Sequence, residues 1–411
     1  MKPKIVFVIN YFYPDYASTG QLLTELCLHI QKDFHIIVIA AQPEDIATEE
    51  HSKTRFLADK LENIDILRIR LPKQNKRNKW SRLRYMAAYF FYANFLLLKQ
   101  KNIRILYTVS TPPILGGVIG SIGKFFKHAK HIYNIQDFNP EQAEAVSFMR
   151  NKFLYRAAKW LDTMNCKYAD HIITVGHDMQ ETLNKRFANK EITRSTVINN
   201  WTDEQEILPL TKDHPKVHEF IKNNGWENKF IVMYSGNLGL YYDLENLIKI
   251  TKDLSSMDEI IFVFIGDGAV KSEMETYVKN NKQGNVFFLP FQPKSEIKYT
   301  LNAADIHLVV NQKGIKGVSV PSKIYGVMAA GKPVLGVLEK GSEACLLIEN
   351  SGCGVVVEPQ NYSDVTKELM NMYTLDSDVL KDKGIRGRKY LEQHLRKDQS
   401  LDKYRNLLLS I

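Results

Sequence analysis

Short runs of β-branched and aromatic residues, each closed by a polar or turn residue, recur along the whole chain. In the first half they occupy 4–10, 35–40, 64–70, 103–109, 131–136, 171–175 and 195–199. Most are separated by helical patterns, as where Leu22, Leu23, Leu26 and Ile30 follow a 3.6-residue period. After a polar stretch at 202–229 that holds Pro209, Pro215 and Gly225, the pattern restarts at 230–236, 260–266, 285–290, 306–310, 332–338 and 354–358. Strands alternating with helices predict mainly parallel sheets covered on both faces. Two such series predict an α/β protein of two doubly wound, Rossmann-like domains facing a central cleft, an N-terminal one over 1–205 and a second starting at 206. In such sheets ligands lie outside the carboxyl ends of the strands, so the loops after strands are where chemistry is expected.

Composition narrows the class. The 411 residues are 44% apolar and 25% charged, which excludes a disordered chain and a small disulfide-stapled module. Cys27, Cys166, Cys345 and Cys353 lie far apart without a CxxC pair, which argues against zinc-ribbon and thioredoxin-like sites and favours a reducing compartment. The N-terminal apolar run, Ile5 to Ile9, reads as a first buried strand and not as a secretion signal.

The net charge of +9 is unevenly placed. Residues 66–136 contain 14 Lys or Arg and no Asp or Glu, leaving 41 basic against 46 acidic residues elsewhere. Within this stretch Lys76, Arg77, Lys79, Trp80, Arg82 and Arg84 precede the segment YMAAYFFYANFLLL at 85–98. As a helix, fourteen residues reach about 21 Å, short of the ~30 Å needed to cross a bilayer. The segment therefore reads as a helix lying in an anionic membrane surface, with Trp80, Tyr85, Tyr89 and Tyr92 at headgroup depth. The alternative is a buried helix preceded by a solvated basic loop. Nucleic acid is not expected as a partner, because no RNP-like, zinc-finger or helix-turn-helix pattern accompanies the charge.

Four loops are candidates for holding a phosphorylated ligand. In 10–21, Ser18, Thr19 and Gly20 lead into a helix, either as an anion site or as a plain N-cap. In 234–247, Gly236, Asn237 and Gly239 join a strand to a helix, and IGDGAVKSEME at 265–275 has the same form. The fourth, 311–336, is the richest: Gly314 and Gly317 offer backbone amides, Ser319 and Ser322 hydroxyls, and Lys316 and Lys323 ammonium groups, with Tyr325 beside them at the start of a helix. Amides, helix dipole and lysine together neutralise a diphosphate without metal. Asp137 and Glu141, after a first-domain strand, are candidates to orient or deprotonate an acceptor hydroxyl, the other reading being an N-cap. There is no HExxH and no clustered His/Cys set, so neither a metal nor a cofactor is expected, and His171 and His177 read as structural.

The order of the two halves, IGDGAVKSEME, PSKIYGVMAAGKPV and GVVVEP resembles the retaining nucleotide-sugar glycosyltransferases of family 4, with their GT-B fold, over nearly the whole chain. The SGNLG and VPSK variants are similar to the bacterial polysaccharide enzymes that transfer N-acetylated amino sugars, such as N-acetyl-fucosamine transferases. The resemblance implies a second domain over 206–386, C-terminal helices at 387–411 that cross back to the first, and a UDP-sugar donor. The acid-free stretch at 66–136 adds the expectation of a lipid diphosphate-linked sugar acceptor at the inner face of the plasma membrane. Two family glutamates are replaced by Val318 and Gly326, and the family's Arg and Lys after the second-domain glycine turn by Asn237 and Tyr242. Phosphate neutralisation then falls to Lys323 and Lys316, with Glu339 or Glu343 as stand-ins at the ribose. A nucleotide-sugar epimerase and a membrane-docked, non-catalytic scaffold of the same fold are the competing readings.

Overall fold

The structure is a computed structural model and describes residues 2–15, 17–43, 54–73, 78–146, 151–187 and 194–411. It divides into two compact units, Met1–Asn199 with Ser400–Ile411, and Asn200–Gln399. The first is built on β1 (Lys4–Val8), β2 (His35–Ala41), β3 (Phe56–Leu61), β4 (Ile64–Ile69), β5 (Ile105–Val109), β6 (Lys130–Ile135), β7 (His171–Thr174) and β8 (Ser195–Val197). Their order across the sheet is β3-β4-β2-β1-β5-β6-β7-β8, parallel except for the β3–β4 pair. The second unit carries β9 (Phe230–Ser235), β10 (Ile260–Ile265), β11 (Val286–Leu289), β12 (Ile306–Val310), β13 (Val334–Val337) and β14 (Gly354–Val357), ordered β11-β10-β9-β12-β13-β14 and parallel throughout. Both are the doubly wound sheets that the alternating pattern predicts. Ile260–Ile265 is buried along its whole length, as a strand covered by helices on both faces must be.

β3 is absent from the sequence-based strands. It is an edge strand whose Ala58, Asp59 and Lys60 are exposed, so it lacks a continuous apolar run. Its two-residue turn to β4 is Glu62-Asn63, with Glu62 at φ 51°, in place of the Asn-Gly or Asp-Gly that marks a hairpin in sequence. Arg68 of β4 holds the strand down: its guanidinium, almost fully buried, pairs with Asp59 at 2.7 Å and donates to the Tyr13 carbonyl at 2.6 Å.

On one face of the first sheet lie the helices Lys79–Lys99, Leu115–Lys127 and Lys152–Tyr168. The second presses close to the strands because its glycines allow it: a Cβ on Gly116 would stand 1.7 Å from the Val109 carbonyl oxygen. The C-terminal return starts later than residue 387. Helix Ser377–His394 stays with the second unit, where the buried Arg388 donates to the carbonyls of Ile207 (2.7 Å), Ala329 (2.9 Å) and Glu204 (2.8 Å). Residues from Ser400 onward join the first unit: Tyr404 accepts from Asn134 Nδ2 at 2.9 Å, and Arg405 forms a two-pronged pair with Asp33 at 2.7 and 2.8 Å.

Candidate functional site

The densest chemistry lies at the carboxyl edge of the second sheet. β9 leaves through Gly236 at φ 145° and β10 through Gly266 at φ 140°. A Cβ on Gly266 would sit 2.0 Å from the Gly236 carbonyl oxygen, so the two turns touch back to back and only glycine fits. Lys323, the first residue of helix Lys323–Ala329, reaches over this turn; its Cε lies 3.5 Å from where a Cβ of Gly236 would stand. Its ammonium donates to Tyr234 Oη at 2.5 Å and rests 3.9 and 4.0 Å from the ring centroids of Tyr234 and Tyr242. Tyr234 Oη in turn donates to the Asn237 carbonyl at 2.7 Å.

No carboxylate forms an ion pair with Lys323 among the described residues. The side chain keeps some surface contact, yet the ammonium is enclosed by the two rings, and burial without a counter-charge pushes its pKa well below that of an ordinary lysine. The rings offer a cation only their quadrupoles. An anion arriving at the Gly236–Asn237 turn would supply what the site lacks.

Lys316 is not part of this constellation. Its Nζ donates to the Lys340 carbonyl at 2.6 Å, and its backbone N–H, with that of Gly314, donates to Glu339 Oε2 at 3.0 and 2.8 Å. One of the two amides that the sequence offers to a phosphate, that of Gly314, is therefore already occupied by a carboxylate. The reason is local: successive N–H groups in such a loop form a concave anion site, and Glu339 enters from the adjacent strand exit. Glu339→Ala is expected to raise hydrogen exchange at the Gly314 and Lys316 amides about tenfold or more, corresponding to roughly 1.5 kcal/mol for a charged hydrogen bond, as NMR or mass spectrometry would read.

Ser319 and Ser322 are half-buried, and Ser322 makes no side-chain cap bond to the helix it precedes. Tyr325 differs from its expected place: the side chain is fully buried among Val309, Met328 and Cys345, because it shares the core face of its helix with Met328, three residues on. Val318 is buried, and at Gly326 a Cβ would meet only Leu301 Cδ1, at 3.6 Å.

In the first unit Gly20 is buried against Tyr11, whose backbone would lie 3.2 Å from a Cβ there. Asp137 is half-buried just past β6, its N–H and that of Gln136 both donating to Ser110 Oγ, at 3.2 and 3.1 Å. Glu141 is committed elsewhere. Its carboxylate pairs with Arg186 at 2.6 Å and Lys159 at 3.2 Å, and Arg186 also pairs with the buried Asp162 at 2.5 Å. Burial pushes the Glu141 pKa up, but the two cations outweigh it and hold the carboxyl below its usual range, which makes it a weak base. Asp137 and Glu141 are thus placed differently, Glu141 between two cations and Asp137 half-buried at the exit of β6.

Of the basic segment, Lys76 and Arg77 lie outside the described residues, as does the Lys79 side chain. Trp80, Arg82 and Arg84 are exposed at the start of helix Lys79–Lys99. Tyr89 is core, 1% exposed among Val6, Ile39 and Leu106, so it cannot reach a headgroup layer. Tyr85 and Tyr92 are half-buried, Tyr92 beneath the Arg55 guanidinium at 4.9 Å.

Sequence reasoning missed Tyr234 and Arg186, and it noted Tyr242 only as the occupant of a position where relatives hold a cation. Glu339, expected at the ribose, instead accepts from the Gly314 and Lys316 amides. Among the described residues no three His, Cys, Asp or Glu side chains gather as a metal site, and no helix is long and apolar enough to cross a membrane.

Residues 216–389 match the family described as Glycosyl transferases group 1. A probable glycosyltransferase, WbjE, of Pseudomonas aeruginosa is 27% identical over 345 residues, 83% of this chain and 84% of that protein. A putative colanic acid biosynthesis glycosyl transferase, WcaI, of Escherichia coli is 32% identical over 136 residues, 33% of each chain. Among solved structures, sucrose-phosphate synthase of Thermosynechococcus elongatus superposes with a TM-score of 0.76 at 13% identity, covering 99% of this chain and 100% of that one. Anabaena HepE in complex with UDP gives 0.72 at 15% identity, with 99% and 100% covered. The fold is therefore that of the GT-B glycosyltransferases, and the second unit, which holds Lys323 and its tyrosines, carries the group 1 glycosyltransferase sequence pattern along most of its length.

Proposed function

We propose that the protein transfers a sugar from a UDP-sugar to a lipid diphosphate-linked saccharide in the synthesis of a bacterial capsule or O-antigen polysaccharide. The observation that carries this reading is Lys323, an enclosed ammonium without a counter-charge at the exit of β9. A leaving nucleoside diphosphate gains negative charge in the transition state, and a prepositioned cation there lowers the barrier by a few kcal/mol. The UDP and UDP-glucose complexes of HepE support UDP as the base-bearing leaving group. The VPSK and SGNLG variants support an N-acetylated amino sugar. The resemblance implies retention of configuration, with the departing phosphate assisting attack, so no carboxylate nucleophile is called for, unlike the glycosidase pair. Lys323 does the electrostatic work, Gly236 and Asn237 bound the phosphate turn, and Asp137 orients the acceptor. No metal is required in this scheme, and the protein acts at the inner face of the plasma membrane, held by the basic segment around Arg82 and Arg84.

Incubation of the purified protein with UDP- and GDP-sugars, with and without membrane lipid extract, tests it. Consumption of a UDP-sugar only when lipid is present, undiminished by EDTA, is expected. Isomerised nucleotide sugar would instead make the protein an epimerase, and absent turnover with every donor would leave a scaffold.

A further inference from the structure

The acid-free segment at 66–136 is one part of a larger surface. Helices Lys79–Lys99, Leu115–Lys127 and Lys152–Tyr168 connect β4 to β5, β5 to β6 and β6 to β7, strands that progress in one direction across the sheet. Right-handed crossovers place all three on the same face. Hydrogen bonds join them side by side: Lys127 Nζ donates to the Leu98 carbonyl, and Lys124 Nζ to the Tyr168 carbonyl at 2.7 Å.

The three helices contain four, two and four Lys or Arg, and together a single acidic residue, Asp162, whose side chain is 3% exposed and paired with Arg186. Three carboxylates lie at the margins: Asp170 is engaged by Lys124 and Lys130, Glu141 by Arg186 and Lys159, and the exposed Glu144 accepts from the Tyr155 hydroxyl. Each helix also turns large apolar side chains to solvent: Trp80 is 79% exposed and Phe91 68%, Phe125 63% and Phe126 61%, Phe153 77% and Trp160 63%. Six bulky side chains exposed to this degree on neighbouring helices are far from the isolated surface apolar residue of a monomer.

We propose that this three-helix face is the docking surface of the first unit for an anionic lipid bilayer, with helices Leu115–Lys127 and Lys152–Tyr168 inserting alongside Lys79–Lys99. The proposal rests on the membrane reading given above and extends it to two helices beyond Lys79–Lys99. Ten Lys or Arg on helices whose single acidic residue is buried suit a negatively charged headgroup layer. The aromatic and aliphatic side chains between them suit the headgroup–acyl boundary, which a basic protein or a polar partner would not fill.

Flotation with phosphatidylglycerol–phosphatidylcholine vesicles and with pure phosphatidylcholine vesicles tests this. The full chain is expected to float with the anionic vesicles only. Phe153→Ser with Trp160→Ser, Phe125→Ser with Phe126→Ser, and Arg82→Glu with Arg84→Glu are each expected to lower partitioning about tenfold or more, the scale of one or two lost contacts, while UDP affinity, a property of the second unit, stays unchanged. Loss in the Arg82/Arg84 variant with wild-type partitioning in the other two would overturn the three-helix surface and leave the membrane reading standing. Wild-type protein that ignores anionic vesicles, including one that binds RNA instead, overturns both. A second readout needs no loss of binding: in a Trp80→Phe protein Trp160 is exposed while Trp201 and Trp226 are buried. Acyl-brominated lipid is expected to quench Trp160, and unquenched fluorescence in bound protein overturns its insertion.

Discussion

Replacing Lys323 by methionine is expected to weaken UDP binding by about ten- to a hundredfold, read by calorimetry. The estimate follows from roughly 1.5–3 kcal/mol for hydrogen bonds to a charged group and 1.4 kcal/mol per factor of ten. Methionine keeps an unbranched stem for the Tyr234 and Tyr242 rings to pack on, so the cavity is not emptied. The thermal midpoint is expected to hold or rise, because the variant no longer confines an ammonium without a counter-charge. A residue serving only the fold would show the opposite, lost stability with affinity retained.

The same site fixes the sign of two pH dependences. In the free protein burial holds the Lys323 pKa well below its ordinary value, and a bound diphosphate would raise it by supplying the missing charge. Binding then takes up a proton, and UDP affinity falls as pH rises above the free-protein pKa. The trend is best measured above pH of about 7.5, where the terminal phosphate of UDP, with its second pKa near 6, is already ionised. The free protein behaves oppositely: its unfolded chain binds the extra proton between the depressed and the ordinary pKa, so stability rises with pH across that window. Calorimetry in two buffers of different ionisation heat counts the proton, and the Lys323→Met protein is expected to show none from this group.

The elements that repeat were legible before the fold, because a strand buried on both faces must be an apolar run, as at Ile260–Ile265 and His171–Thr174. β3 was not, since an edge strand with Asp59 and Lys60 facing out satisfies its pairing without that pattern. Within the site, Lys323 and Gly236 could be singled out because ammonium groups and glycine turns announce themselves locally. What surrounds Lys323 could not: Tyr234 lies 89 residues away in sequence, and only the pairing of β9 with β12 brings its ring under the helix that follows. The partners of Lys316 and Glu141 were hidden for one shared reason. A charged side chain in a loop is equally available to a ligand or to the nearest opposite charge, and residue type alone does not distinguish Glu339's carboxylate on the Gly314 amide from a phosphate in the same place.

Arg186 holds the largest expected effect on stability. Its side chain is 2% exposed, donating to Glu141 at 3.1 and 2.6 Å, to Asp162 at 2.5 Å, and lying 4.4 Å from the Phe138 ring centroid. One guanidinium therefore ties helix His177–Arg186 to helix Lys152–Tyr168 and to the turn after β6 that presents Asp137. Arg186→Met leaves Asp162, deeply buried beside Tyr133, without its cation and Glu141 with Lys159 alone, and is expected to destabilise the first unit by about 3–5 kcal/mol, the cost of breaking a buried ion pair from one side. Urea unfolding followed by the exposed Trp80 and Trp160 would measure it. Adding Asp162→Asn removes the orphaned charge, so the double variant is expected to be more stable than Arg186→Met alone; a double variant that is weaker still would mean that the guanidinium acts by packing on Phe138 and not by charge. The pH profile separates these as well. Glu141, held below its usual range, contributes stability above its unfolded pKa that is lost as pH falls through the folded value, and without Arg186 that contribution shrinks. Asp162, pushed up by burial, works in the opposite sense, and with its cation gone its carboxyl takes up a proton at higher pH. The Arg186→Met protein is therefore expected to lose its stability gap to wild type progressively on acidification, converging as both carboxyls protonate.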